Sequence, residues 1–230
     1  MKKILVQLIG DKLDLEDIML GFKASEWKIT KETEGYYLTS ESFNETFDHD
    51  EILSNVNLLL DILNGAANII HKDHKRIETG CLVEVDEDGH RNIFLSIHER
   101  VTLRDRCNAD ILRDGKILER PLSKIEDWVT KAKKYVSVRD ALHFFNEITW
   151  WNLYKVFEII RDDVGGKKSI YKIIDEDELK CFEDVAQRRD LLGDNARHAS
   201  KSFNPPTKIL TLDEATNTII KLFENWINSK

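Results

Sequence analysis

Proline, cysteine and long apolar runs are all scarce in this chain of 230 residues. With 3 prolines, 10 glycines and 41% hydrophobic residues, the chain is neither collagen-like nor a low-complexity, disordered sequence. Cys81, Cys107 and Cys181 are odd in number and widely spaced. That pattern argues against a disulfide framework or a zinc site and favours a reducing, cytoplasmic location. No apolar run reaches the roughly 18 residues of a membrane span, so we expect no membrane association.

The common catalytic and cofactor motifs are missing as well. The sequence has no Gly-rich phosphate loop, no GxSxG, no HExxH and no CxxC. Residues 165–169 (GGKKS) lack the first glycine of a phosphate loop and follow a helix, so they are interpreted as a loop between helices. His71 and His74 lie at a helix end among lysines that would repel a cation, which favours a positively charged helix terminus over a metal site. We therefore expect no cofactor and no metal.

Charge divides the chain unevenly. Residues 1–100 carry 20 Asp+Glu and 11 Lys+Arg, whereas residues 101–230 carry 22 and 23. Such asymmetry indicates two units with different surfaces. The second half is nevertheless far from the strongly basic composition of a typical nucleic-acid-binding domain.

The first half has a mixed pattern of strands and helices. Residues 4–9 predict a strand, residues 27–30 and 36–39 a hairpin, and the apolar spacing over 50–71 a long amphipathic helix. Asp88-Gly89 predicts a hairpin turn, with Ile93, Leu95 and Ile97 forming the apolar face of the returning strand. We place an N-terminal α+β domain at residues 1–115.

The second half predicts helices only. One long helix is expected from residue 137 to residue 163 and another from 176 to about 192. Thr211 and Glu214 form a capping box at the start of the last helix. The predicted fold class is therefore α+β, in which a mixed N-terminal unit with a β-hairpin and one long helix is followed by an all-α helical bundle at residues 118–230.

The candidate site lies in the second half, at residues 193–199. Four polar side chains fall within five positions there: Asp194, Asn195, Arg197 and His198. Arginine can hold a phosphate and stabilise negative charge, and histidine can transfer a proton near neutral pH. These are the groups that a metal-independent ribonuclease needs when the 2′-hydroxyl of the RNA is the nucleophile. In the alternative interpretation Asp194 caps a helix and Arg197 pairs with an acidic neighbour.

This region, about residues 120–230, resembles HEPN domains. The resemblance rests on a helical bundle in which Asn195 precedes His198 by three residues, close to Arg197. The HEPN motif, an arginine followed after four to six residues by a histidine, implies RNA cleavage at a dimer interface. His198 would take the place of the family histidine, but Arg197 is adjacent to it and Arg189 lies nine residues before it. The spacing therefore departs from the family pattern.

Two functions from different classes follow. The resemblance implies a cytoplasmic homodimer that binds RNA or cleaves it without metal, in a stress or defence setting, with Arg197 and His198 as catalytic residues oriented by Asp194 and Asn195. The alternative is a non-enzymatic interaction or scaffold protein. Its helical bundle would dimerise, and its acidic N-terminal unit would bind a protein partner. A nuclease needs Arg197 and His198 exposed in a common groove, whereas a scaffold would have them paired and packed.

Overall fold

The computed structural model of the chain divides into two compact units, Met1–Val129 and Thr130–Lys230. The described residues are 3–22, 26–45, 48–71, 73–94, 112–113, 116–117, 124–197 and 208–230. Leu95, Ile97, Cys107 and His198 lie outside them, as does most of the stretch around residues 115–118 where the sequence predicts a domain boundary. The α+β class is confirmed, with a five-stranded sheet in the first unit and helices in the second.

The first unit is built on an antiparallel sheet with the strand order β2-β3-β1-β4-β5. Its strands are β1 (Lys3–Ile9), β2 (Trp27–Glu32), β3 (Gly35–Ser40), β4 (Glu78–Val85) and β5 (Arg91–Phe94). Its helices are α1 (Lys12–Gly21), α2 (His49–Ile70) and the first residues of α3 (Lys124–Lys134), and a 3₁₀ turn covers Glu41–Asn44. Two short strands, β6 (Leu112–Arg113) and β7 (Lys116–Ile117), form a separate pair.

One face of the sheet carries the main core of this unit. Val6 pairs with Leu38 on one side and with Leu82 on the other, and all three side chains are buried. On the same face, Tyr36 donates a hydrogen bond of 2.9 Å to Glu16 of α1, and Glu84 lies 2.9 Å from His49 of α2. The apolar positions of both helices therefore cover this face of the sheet.

The opposite face is concave. Arg91 of β5 binds Glu32 and Glu34 at the β2–β3 turn, with 3.0 Å to the Glu34 carboxylate, although β5 and β2 lie at opposite ends of the strand order. The sheet must therefore be strongly coiled. Leu5, Tyr37 and Val83 form a small buried cluster on this face.

Ile93 departs from the sequence prediction. It was expected on an apolar face, but it is 57% exposed. The physical reason is its position on an edge strand: Ile93 pairs with Val83 of β4, and no described strand flanks β5 on its other side.

Helix α2 matches its prediction to within one residue at each end. Asp48 is its N-cap, and its carboxylate accepts hydrogen bonds from the backbone N–H groups of Asp50 and Glu51 at 2.9 and 3.3 Å. This is the one described helix that is long and apolar enough to cross a membrane, but 61% of its most apolar window is buried inside the protein. Such burial is typical of a core helix.

A polar network lies buried where α1, α2 and the α2–β4 loop meet. Asn64 of α2 accepts a hydrogen bond from the Ile77 N–H and donates one to the Ile77 C=O, both at 2.8 Å. Nε2 of His74 lies 2.9 Å from the Asn64 oxygen, and Nδ1 lies 3.3 Å from Asp14 of α1. We call these three side chains, Asp14, Asn64 and His74, the Asp14 network. It fixes the path of the loop into β4.

We expect Asn64→Ala to destabilise the first unit by about 2–3 kcal/mol, because it leaves both polar groups of Ile77 without a partner in the core. Asn57→Ala is the matched control on the same helix. Asn57 is exposed and accepts one bond from Thr79, so its loss should cost less than about 0.5 kcal/mol. Urea unfolding followed by NMR peaks of β1 and β4 measures both changes. Equal losses in the two variants would contradict the assignment.

The second unit consists of helices. They are the end of α3, then α4 (Val136–Phe144), α5 (Trp150–Asp163), α6 (Lys167–Ile170), α7 (Glu176–Gln187), α8 (Arg189–Leu192) and α9 (Leu212–Ile227). The capping box predicted for the last helix is confirmed, with Thr211 and Glu214 exchanging hydrogen bonds. The core is aromatic, since Phe145, Phe157, Phe182, Phe223 and Trp226 are all less than 2% exposed.

The single helix expected from residue 137 to residue 163 is wrong. It is two helices, α4 and α5, because Thr149 adopts an extended conformation and its hydroxyl accepts the Asn152 N–H at 3.1 Å as an N-cap. The helix expected from residue 176 to about 192 likewise ends at Gln187, since Arg188 is extended. Both breaks occur without proline or glycine.

Asp163, at the end of α5, joins three elements of the second unit. Its carboxylate accepts hydrogen bonds from Ser137 of α4 and Trp226 of α9, both at 2.8 Å, and lies 2.5 Å from the Lys230 ammonium. Burial by itself would raise the pKa of Asp163, but the bonds from Lys230, Trp226 and Ser137 outweigh it and lower the pKa below its ordinary value of 3.8.

The second unit should therefore lose stability in acid through Asp163. A carboxyl whose pKa is lowered by folding stabilises the folded state above its ordinary pKa, and that contribution is lost as the pH falls towards the folded value. We expect Asp163→Asn to be less stable than the wild type at pH 7, and the difference to shrink below about pH 4. Asp162→Asn, at an exposed neighbouring position, should match the wild type. Thermal unfolding from pH 7 to pH 2 measures this, and a difference that does not change with pH would contradict it.

Candidate functional site

The predicted site lies at the end of α8, in a short irregular stretch of the second unit. Gly193 has a φ of 60°, which glycine adopts readily, and a 3₁₀ turn covers Gly193–Asn195. Asp194, Asn195 and Arg197 are described here, and His198 lies outside the described residues.

Arg197 is held by α5 and α7. Its guanidinium lies 2.7 Å from the Glu158 carboxylate and donates a second bond of 3.3 Å to the Tyr154 hydroxyl. The guanidinium carbon lies 4.5 Å from the centre of the Tyr154 ring, within cation–π distance. The backbone N–H of Arg197 donates to the C=O of Ala186 on α7 at 2.9 Å.

Tyr154 is the residue on which Arg197 packs. Its ring packs against Phe157 and Phe182 in the core, and its hydroxyl also accepts a bond of 3.4 Å from Gln187 of α7. Burial raises the pKa of Tyr154; Arg197 opposes that change, and Glu183 and Glu158 add to it. The phenol therefore stays protonated near neutral pH. We call Tyr154, Glu158, Gln187 and Arg197 the Arg197 cluster.

Asp194 and Asn195 do not contact Arg197 in any described hydrogen bond. The Asp194 carboxylate, 96% exposed, lies 3.1 Å from the guanidinium of Arg189, and Asn195 is exposed. No side chain caps the turn at Gly193–Asn195, so the alternative expectation that Asp194 caps a helix is not met there. The other half of that alternative, an acidic partner for Arg197, is met by Glu158.

An exposed aromatic side chain lies next to the Arg197 cluster. Trp150 is buried and stacks on Phe182, whereas Trp151 is 49% exposed. The Lys155 ammonium lies 5.2 Å from the Trp151 ring and 3.3 Å from Glu158. Of the adjacent tryptophans, one therefore belongs to the core and the other to the surface, as expected for neighbours about 100° apart on a helix.

The Glu158 carboxylate limits the ability of Arg197 to bind a phosphate. A phosphate bound by Arg197 would have to displace or approach a carboxylate at 2.7 Å, which it would repel. Glu158 is 18% exposed and Arg197 32% exposed, so the pair is partly shielded from water. In this state the cluster fastens residues 189–197 to α5 and α7.

Asp86, Asp88 and His90 form the one group of possible metal ligands in the described part of the chain, at the β4–β5 turn. Asp86 already accepts the backbone N–H groups of Asp88 and His90, at 3.0 and 2.8 Å. The three side chains are largely exposed, and the two hydrogen bonds to Asp86 show that they stabilise the β4–β5 turn.

From the sequence, Glu158, Tyr154 and Gln187 were not connected with Arg197. No local pattern could have paired them, because Glu158 and Arg197 are 39 residues apart. Comparison of the chain with family models, curated proteins and solved structures found no match.

We expect Arg197→Ala to destabilise the second unit by about 1–2 kcal/mol, because it removes the 2.7 Å bond to the partly shielded Glu158 and the cation–π contact with Tyr154, and leaves Glu158 with the 3.3 Å contact to Lys155. Arg189→Ala is the matched control on the same segment. Arg189 is 47% exposed and its partner Asp194 is 96% exposed, so the change should cost less than about 0.5 kcal/mol. Urea unfolding followed by NMR peaks of α5 and α7 compares the two. A loss in Arg189→Ala as large as that in Arg197→Ala would contradict the anchoring role.

Proposed function

We propose that this chain is a non-enzymatic interaction protein whose N-terminal unit binds a basic segment of a protein partner. The observation that carries the proposal is the pairing of Arg197 with Glu158. The one described candidate cation for a bound phosphate in the predicted site is already neutralised by a carboxylate and packed on Tyr154. For Arg197 this is the paired and packed arrangement expected of a scaffold, whereas His198 lies outside the described residues.

The surface of the first unit supports the second half of the proposal. Five carboxylates are exposed between residues 41 and 51, in the 3₁₀ turn and at the start of α2: Glu41, Glu45, Asp48, Asp50 and Glu51. We call this stretch the acidic segment. Clustered negative charge attracts a basic partner and repels nucleic acid phosphates.

A metal-independent ribonuclease remains the second candidate, because one observation favours it. Glu158, Tyr154 and Arg197 bring a carboxylate, a phenol and a guanidinium within hydrogen-bond distance, and His198 follows directly in the sequence. If Arg197 turned from Glu158 to a phosphate, the released carboxylate could take a proton from a 2′-hydroxyl. In the family that the bundle resembles, cleavage takes place at a dimer interface, so this candidate also predicts a homodimer.

We expect the wild-type chain to bind a fluorescent Lys/Arg-rich peptide more tightly than a single-stranded RNA of equal length, measured by anisotropy at low salt. The double variant Glu41→Lys/Glu45→Lys should weaken peptide binding by about tenfold, a change of about 1.4 kcal/mol. It leaves Asp48, the cap of α2, in place. Glu87→Lys, an exposed position at the β4–β5 turn of the same unit, is the matched control and should bind like the wild type.

RNA cleavage without added metal is measured on the same preparations, with His198→Ala and Arg197→Ala as variants. We expect no cleavage that depends on either residue. Cleavage lost in a folded His198→Ala variant, from a protein that is dimeric by light scattering, would overturn the interaction proposal in favour of the ribonuclease. Equal peptide binding by the Glu41→Lys/Glu45→Lys and Glu87→Lys variants would contradict the role of the acidic segment.

A further inference from the structure

The sequence contains one Asn-Gly pair, Asn64-Gly65, and this pair lies in the interior of α2. In an unstructured chain an asparagine reacts most readily with its own backbone when glycine follows it, because glycine has no Cβ to hinder the approach of its nitrogen. The pair is therefore a candidate site of covalent modification that is independent of the proposed binding function.

The modification is deamidation, in which the main chain attacks the side chain. The Gly65 nitrogen forms a bond to the side-chain carbonyl carbon of Asn64 and gives up its proton, while the amide nitrogen leaves as ammonia. Water then opens the resulting five-membered imide. Breaking the newly formed C–N bond leaves aspartate at this position. Breaking the original peptide bond leaves isoaspartate, in which the main chain runs through the side-chain carbon.

The folded protein keeps the two reacting groups apart. The Gly65 N–H lies within α2, where each N–H bonds to the C=O four residues earlier. The Asn64 side chain is held by its two 2.8 Å bonds to the backbone of Ile77, and its oxygen lies 2.9 Å from Nε2 of His74. Asn64 is only 1% exposed. Water and base are thereby excluded, and the attack requires α2 to open and both bonds to Ile77 to break.

We propose that Asn64-Gly65 is a deamidation site that is closed in the folded first unit, opens only when α2 unfolds, and once modified prevents the unit from returning to this fold. The rate of modification then follows the fraction of chains in which α2 is open. Anything that binds only the folded unit lowers that fraction.

The loss of refolding follows from what Ile77 requires of its partner. The Ile77 C=O accepts a bond from the Asn64 amide nitrogen at 2.8 Å, and in an aspartate a second oxygen takes the place of that nitrogen. Near neutral pH this oxygen must either take up a proton or remain charged at a position that is 1% exposed, and both are unfavourable. Isoaspartate adds a carbon to the main chain, which disrupts the hydrogen-bond spacing of α2.

The closed state is tested on the wild-type chain, held in mildly alkaline buffer with and without guanidinium chloride and analysed by peptide mapping with mass spectrometry. Asn57 and Asn68 of the same helix are internal controls, because neither precedes a glycine. In denaturant we expect Asn64 to deamidate faster than either control. Without denaturant its rate should fall by at least about a hundredfold, since only the open population reacts. Equal rates for Asn64 in the two incubations, or a rate in denaturant no faster than the controls, would overturn the proposal.

The loss of refolding is tested on partly deamidated chains that are returned to native buffer and treated briefly with a protease. Chains modified at Asn64 should be enriched at least about tenfold among those cleaved in the first unit, because they lack a donor for the Ile77 C=O. An equal distribution between cleaved and intact chains would contradict this step.

Two variants separate the effect of the product from the chemistry that forms it. Asn64→Asp should unfold at a lower urea concentration than the wild type or fail to fold. Asn57→Asp is the matched control, because an aspartate there can still accept the Thr79 hydroxyl, and it should unfold as the wild type does. Equal stability of the two variants would overturn the proposed block to refolding by the aspartate product.

Discussion

A polar group taken out of water needs a hydrogen-bond partner, and both units of this protein are organised by side chains that meet this requirement over long sequence distances. In the first unit Asn64 satisfies both backbone groups of Ile77, and so sets where the chain enters β4. In the second unit Asp163 gathers donors from α4, α9 and the last residue. The apolar cores supply the larger free energy, but they accept many similar packings. The polar contacts select one arrangement.

Arg197 also has hydrogen-bond partners for its partly buried polar group, and whether it can bind a substrate depends on those partners. A guanidinium at a reaction centre has to be available when substrate binds, whereas a guanidinium that completes a fold has to be satisfied without substrate. The guanidinium of Arg197 has three contacts in the folded protein: the Glu158 carboxylate, the Tyr154 hydroxyl and the face of the Tyr154 ring. Release would cost a charge-assisted hydrogen bond and a cation–π contact together. A phosphate would therefore have to bind tightly enough to offset both.

Prediction from the sequence succeeded where the signal was local. The α+β class, the position of α2 and the capping box at Thr211 and Glu214 all follow from periodicity and short spacings. It missed α1, where Asp14 and Asp17 occupy buried positions and interrupt the apolar pattern. It also joined α4 and α5, because the cap at Thr149 lies in a run that otherwise has helical periodicity.

The contacts around the candidate site were harder to predict from the sequence than the fold, for a physical reason. The sequence places Arg197 close to Asp194 and Asn195. Ion pairs, however, form between side chains that are close in the folded structure, which need not be close in sequence. The partner of Arg197 comes from α5, and Asp194 contacts Arg189 instead. A cluster of polar residues in sequence is therefore weak evidence for a cluster in space.

The acidic segment shows how far a charge pattern can be explained by folding alone. Asp48 caps α2, and Asp50 and Glu51 lie in its first turn, where the helix dipole stabilises negative charge. These three carboxylates are accounted for by the helix. Glu41 and Glu45 are not, since they belong to the preceding 3₁₀ turn and its last cap, and both are exposed. All five exposed carboxylates attract a basic partner, but Glu41 and Glu45 can be replaced without removing the cap or a first-turn carboxylate of α2.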